Sequence, residues 1–254
     1  GGVEPQSETV WRQSEHFGVP KIAFVNKMDR LGADFEAALE AMRRRLQANA
    51  VAVTAPLGQG EAFSGVLDLI SDETLTFDPA DQGRTVLRVP FSPREATLAA
   101  PWRETLLEKL AEADDKFLEL WMDGSFSRED IRAALRRATL SRALTPVLCG
   151  SALRNMGVQP VLDAVCDYLP SPLDVAAPVG RDAEGREEMV EPDPDAPPVA
   201  LVFKVLMENG RKLSFLRLYA GRIKEGDSLR NVAQKSDDRV GRIFRLHADR
   251  REQL

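Results

Sequence analysis

Over the first 170 positions, apolar residues fall alternately into short continuous runs and three-four helical spacings; further on they alternate residue by residue. Pro5 suits the first turn of a helix over Gln6 to Phe17, which Gly18 stops. Ile22 to Val25 is an apolar run between Pro20 and a polar cluster, the pattern of a short strand buried on both faces in a parallel sheet. Asp34 caps a helix whose apolar face is Phe35, Ala38, Leu39, Met42 and Leu46, with Arg43, Arg44 and Arg45 on a solvated side. Short strand-like runs follow at Val51–Val53, Gly65–Ile70, Thr74–Phe77 and Thr85–Val89.

After Pro101 the spacing predicts a long amphipathic helix, continuous or broken, with Leu107, Leu110, Phe117, Leu118 and Trp121 on one face. Asp114 and Asp115 fall between those positions and read as solvent-facing rather than as a metal pair. Ser127 with Asp130 resembles a capping signal for a helix carrying Ile131, Ala134, Leu135 and Ala138. A second apolar strand, Thr145 to Cys149, ends in Gly150-Ser151-Ala152-Leu153. A helix from Val158 to Leu169 then shows Val161, Leu162, Val165 and Leu169 on one face. Seven prolines between Pro170 and Pro198, set among acidic residues, mark an extended and poorly packed linker. From Val199 the pattern is β: Val199, Leu201, Phe203 and Val205 alternate, Leu213 to Tyr219 follows, and Val240 to Leu246 makes a further strand. These strands are too few to close a barrel, and the open edge is an aggregation liability.

The fold expected is therefore α/β: a partial parallel sheet with an α+β insertion, then a truncated β-barrel domain. The divisions expected are 1–50 and 145–170 for the parallel-sheet domain, 51–144 for the insertion, 171–197 for the linker and 198–254 for the incomplete barrel. Composition adds exclusions. With 43% hydrophobic and 29% charged residues in 254, the chain is of ordinary globular make-up. No apolar run approaches a membrane span, and no secretory signal is visible, which points to the cytoplasm. Cys149 and Cys166 are too few for a disulfide framework and read as reduced core thiols, while His16 and His247 exclude a histidine-rich metal site. A net charge of −6 argues against a globally basic nucleic-acid binder. The opening Gly1-Gly2-Val3, without methionine, reads as a piece of something longer.

The candidate chemistry sits at Asn26-Lys27-Met28-Asp29, where a parallel strand ends and open α/β sheets bind ligands. The four residues match N-K-x-D, the signature by which GTP-binding proteins recognise guanine. The Asp29 carboxylate can accept from the guanine N1–H and exocyclic amine, a donor pair that adenine lacks. Lys27 can lay its methylene stem over the purine face, and Asn26 can cross-link the loop to its neighbours.

The chain resembles bacterial elongation factor G over nearly its whole length. Gly2-Val3-Glu4-Pro5-Gln6-Ser7-Glu8-Thr9-Val10-Trp11-Arg12-Gln13 is similar to the stretch after that family's second switch region. Val25 to Phe35 continues the match, and Gly150-Ser151-Ala152-Leu153 with Gly157-Val158-Gln159 resembles the last guanine-contacting loop. Phe203-Lys204-Val205, Tyr219-Ala220-Gly221 and Arg245-Leu246-His247-Ala248 resemble the second domain.

The resemblance implies a P-loop-NTPase-like sheet and a parent that binds GTP or GDP, uses magnesium in its complete form, and hydrolyses GTP on the ribosome to move tRNA and mRNA. It implies guanine contacts from Asn26, Lys27, Asp29, Ser151, the Ala152 backbone and Leu153, and possible rRNA contacts from Arg242, Arg245, Arg250 and Arg251. Its partners would be rRNA and ribosomal proteins, with tRNA–mRNA met indirectly; no membrane partner is implied, and a monomer is. A truncated ribosome-binding paralogue, or a recycling, release-factor or ribosomal-protection relative, are the alternatives. No G-x-x-x-x-G-K-S/T phosphate loop occurs, and Asp182-Ala183-Glu184-Gly185 matches D-x-x-G only by letter, within the linker. No catalytic or metal-binding residue is therefore assigned. The stretch alone is expected to bind guanine nucleotides weakly or not at all and to be inactive in hydrolysis.

Overall fold

A computed structural model describes residues 2–181, 184–208, 210–247 and 250–254; Gly1, Asp182, Ala183, Asn209, Ala248 and Asp249 lie outside the described residues. The D-x-x-G letter match thus begins, and the Arg245–Ala248 stretch ends, beyond what is described. The chain divides into two units, Gly1–Pro170 and Ser171–Leu254.

The first unit opens with helix α1 (Pro5–His16), strand β1 (Ala23–Val25), helix α2 (Phe35–Arg45) and strand β2 (Ala50–Ala52). Strands β3 (Thr54–Leu57), β4 (Gly65–Asp68), β5 (Glu73–Phe77) and β6 (Val86–Pro90) follow. Helices α3 (Pro93–Ala113), α4 (Asp115–Met122) and α5 (Arg128–Leu140) precede strand β7 (Thr145–Cys149) and helix α6 (Val158–Tyr168). β1, β7 and β2 form a parallel sheet in that order, with Ala23 opposite Val147 and Ala50 opposite Thr145. β3 to β6 form an antiparallel meander. β7 lies between two strands and is buried at every position, whereas β1, an edge strand of this sheet among the described residues, is half-buried throughout. That corrects the expectation that β1 is buried on both faces.

The expected start of the insertion at position 51 also needs correcting. β2 belongs to the parallel sheet, and Val53 is the residue at which the chain changes sheets. Its N–H donates to the Val147 carbonyl at 2.8 Å, and its carbonyl accepts from Leu69 N at 3.1 Å. An apolar run marks a strand but not which strands it joins. Thr54, buried at 2% exposure, ties the two sheets by accepting from Cys149 N at 3.1 Å. Burial pushes the Cys149 thiol up to about 12, so it is a packed group without nucleophilic character. Cys166, expected in the core, is exposed.

The arginine trio of α2 is not simply a solvated face. Arg43 Nε donates to the Ala50 carbonyl at 3.1 Å, and Arg45 binds the Glu8 carboxylate at 2.7 Å and the Val3 carbonyl. Arg44, paired with Glu40 one turn back, is more exposed than Arg45 and lies on the wet side. α3 begins well before Pro101, because Ser92 and Glu95 form a reciprocal capping box and Pro93 occupies its first turn. Pro101 sits within the helix. α6 turns Ala164 and Tyr168 inward and leaves Leu162 and Val165 exposed, so its buried face is rotated from the one expected.

Asp114 departs furthest from its expected solvent-facing place. It ends α3 and caps α4, accepting from Phe117 N at 2.8 Å, and Arg137 of α5 grips both carboxylate oxygens at 2.7 and 2.8 Å. The Arg137 hydrogen bonds hold the Asp114 carboxyl below its usual value; the Phe117 N–H helps, and burial opposes. Asp114→Ala removes a cap and a bidentate pair together, and is expected to cost about 2–3 kcal/mol in urea unfolding. A carboxyl depressed in the folded state stabilises above its unfolded value and loses that contribution as pH falls through the folded one. Stability of the native chain should therefore decline below about pH 4 more steeply than that of Asp114→Ala.

The second unit is built of antiparallel hairpins. They pair β8 (Val179–Arg181) with β9 (Glu187–Met189), and β10 (Val199–Glu208) with β11 (Arg211–Ala220). β12 (Ser228–Asn231) pairs with β13 (Ser236–Arg239), and β14 (Phe244–His247) with β15 (Arg250–Gln253). No closed barrel is present among the described residues. The first hairpin lies inside the proline-rich stretch expected to be extended. The single strand expected over Val240–Leu246 is interrupted, since Val240 bonds back to the Gly226–Asp227 turn and β14 begins only at Phe244.

Candidate functional site

The loops after β1 and β7 leave neighbouring parallel strands and are laced together. Gly150 N donates to the Val25 carbonyl at 3.1 Å, and Met28 N to the Gly150 carbonyl at 3.0 Å. Met28, only 1% exposed, anchors its loop in the core, while Lys27 takes a left-handed φ of 66° and is exposed. Asn26 Oδ1 accepts from Lys27 N at 2.7 Å and from Ala152 N at 2.9 Å, which is the cross-link its residue type allows. Ser151 is buried and joined to Met156 by reciprocal backbone bonds of 2.9 and 3.0 Å. Ala152 and Leu153 are exposed, Leu153 at 91%.

Asp29 faces this second loop. A hydrogen bond with the Ser151 side chain is the main reason its carboxyl lies below the ordinary range; partial burial opposes, and the Arg154 and Arg30 charges assist. Arg154 Nε lies 3.1 Å from Asp29 Oδ2. The structure thus brings Asn26, Asp29, Ser151 and Ala152 together, with Lys27 and Leu153 on the same two loops. It does not gather the four arginines. In the β14–β15 hairpin Arg245 pairs opposite Glu252 and Arg250 opposite His247, while Arg251 opposes Leu246 on the other face, and Arg242 precedes the hairpin.

Three supporting residues were not singled out from the sequence. Arg154 is one. Gly60 N, in the turn after β3, donates to the Met28 carbonyl at 2.8 Å. The Gly83 carbonyl, in the turn after β5, accepts from Asn155 Nδ2 at 3.2 Å and Gln159 Nε2 at 2.7 Å. Glycine in a turn is the only sequence signal for the last two, and it does not say what the turn touches. Among the described residues no three His, Cys, Asp or Glu side chains cluster to hold a metal, and no helix is long and apolar enough to cross a membrane.

A parallel sheet that delivers an N-K-x-D loop and a serine-alanine loop side by side at its carboxyl edge is a P-loop-NTPase-like α/β arrangement. The chain belongs to the elongation factor Tu GTP-binding domain family, whose sequence profile matches residues 1–171. It is 46% identical over 258 residues to an elongation factor G 2 of Desulfotalea psychrophila and 45% identical over 255 residues to an elongation factor G of Neorickettsia sennetsu. Both comparisons cover 100% of this chain and 37% of the relative, so the chain spans little more than a third of their length. A crystal structure from Thermus thermophilus superposes with a TM-score of 0.77 at 27% sequence identity, over 100% of this chain and 35% of that one.

Proposed function

We propose that this chain is the guanine-reading part of a ribosome-dependent translational GTPase that promotes tRNA–mRNA translocation. The reading is supported above all by the Asp29 carboxylate, held charged beside Ser151 and Ala152 by loops from adjacent parallel strands. Asp29 accepts the N1–H and exocyclic amine of guanine, the Ala152 N–H turns to the guanine oxygen, and Lys27 covers the ring. Adenine offers Asp29 no donor pair and leaves the carboxylate without partners. The relatives named elongation factor G favour translocation as the task, and Arg242, Arg245, Arg250 and Arg251 of the second unit are the groups that would meet rRNA phosphates. The sequence holds no G-x-x-x-x-G-K-S/T string for phosphates, so the hydrolytic step is not assigned to its residues.

The test is a titration of the isotope-labelled chain followed by amide NMR. Millimolar GDP should shift the amides of Asp29, Ser151 and Ala152, whereas ADP should leave them in place. No shift with GDP, or equal shifts with both nucleotides, would overturn the base-reading role. GTP turnover by this chain should be undetectable in a phosphate-release assay.

A further inference from the structure

In the ligand-free chain the two groups assigned to read guanine already have partners of their own. The Ala152 N–H donates to Asn26 Oδ1 at 2.9 Å; the Asp29 carboxylate is hydrogen-bonded with the Ser151 side chain and has the Arg154 guanidinium beside it as an ion pair, Nε 3.1 Å from Oδ2. The ion pair has a particular chemistry. The N1–C2–N2 edge of guanine is itself a guanidine unit, two N–H donors on one carbon, and the arginine head group presents the same array. Building on the base-reading role above, we infer that Arg154 is an affinity-setting residue, an internal occupant of the Asp29 carboxylate that guanine must displace.

The surroundings decide which side moves. The Asp29 side chain is 13% exposed and that of Arg154 is 54% exposed, so the guanidinium can swing into water while the carboxylate stays. The backbone beneath Arg154 is braced. Arg154 N and Asn155 N close a tight turn onto the Ser151 and Ala152 carbonyls, Asn155 takes a left-handed φ of 53°, and its side chain is held by Gly83. Displacement of Arg154 therefore involves one side chain and leaves the backbone turn beneath it as it stands. An ion pair this open is modest in strength, so Arg154 tunes affinity without blocking the site.

The experiment compares the native chain with Arg154→Met and Arg154→Lys, titrated with guanosine, whose lack of charge removes any attraction of Arg154 for phosphates. Amide shifts at Asp29 and Ser151 report binding. Arg154→Met should bind guanosine roughly two- to fivefold more tightly than the native chain, by the usual strength of an exposed pair. The gap should narrow at about 0.5 M salt, where the pair is screened. Arg154→Lys, which keeps the charge but loses the two-nitrogen edge, should fall between them. Equal or weaker binding by Arg154→Met, with GDP still shifting Asp29 in the native chain, would overturn this inference alone. Failure of every variant to bind guanosine, together with no GDP shift in the native chain, would overturn the base-reading role as well.

Discussion

Asp29→Asn, placed in the full-length factor we propose, is expected to exchange guanine for xanthine preference. The amide keeps an acceptor for N1–H but turns its NH2 toward position 2, where guanine carries a donor and xanthine an acceptor. Two donors then face each other, and GDP affinity should fall by about two to three orders of magnitude while xanthosine diphosphate gains. Competition between the two diphosphates for the same protein measures the ratio directly. An unchanged preference for guanine would remove Asp29 from base reading. The variant also loses the Arg154 ion pair, so a loss of GDP affinity without any gain for xanthine would show a disturbed loop instead.

The second large effect is expected at Gly157, the N-cap of α6, with φ of +81°. A Cβ there would lie 2.5 Å from the Cys149 carbonyl oxygen and 3.2 Å from Gly150 Cα, both backbone atoms that cannot turn aside. Gly157→Ala should therefore lower stability by about 3 kcal/mol, part from the left-handed backbone and part from the overlap. Gly32→Ala is the control: its φ is +77°, but nothing lies within 4 Å of the added methyl, so it should cost only about 1 kcal/mol. Urea midpoints at constant slope give both values. Equal costs would mean that the segment between β7 and α6 relaxes around the methyl. Because that segment carries Ser151 and Ala152, loss of the GDP-induced amide shifts should accompany the larger effect.

Much of this is legible in the residues. The apolar run before Asn26, the Asp34 cap, the Ser127–Asp130 box and the strand before Gly150 each rest on local chemistry that the structure reproduces. The elongation factor G resemblance likewise rests on contiguous motifs. What is not legible depends on partners distant in sequence. Asp114 looks wet because its spacing sets it beside an apolar face, and only the packing of α5 brings Arg137 to it, 23 residues on. Val53 looks like part of an insertion because nothing local says that a strand will change sheets. Pro101 looks like a helix start only while the box at Ser92 and Glu95, which is readable, goes unweighed. Arg154 is hidden for another reason: an arginine in a turn carries no sign of which carboxylate it will meet.

The two glycine turns at one end of the meander have a consequence for how the two loops are mounted. Gly60 holds the carbonyl of Met28 beneath one loop, and Gly83 holds Asn155 and Gln159 beneath the other. The antiparallel sheet is thus a two-legged trestle under the loops that carry Asp29 and Ser151. Pruning the chain back to the three parallel strands would spare every residue assigned to the base and still take away the footing on which both loops stand.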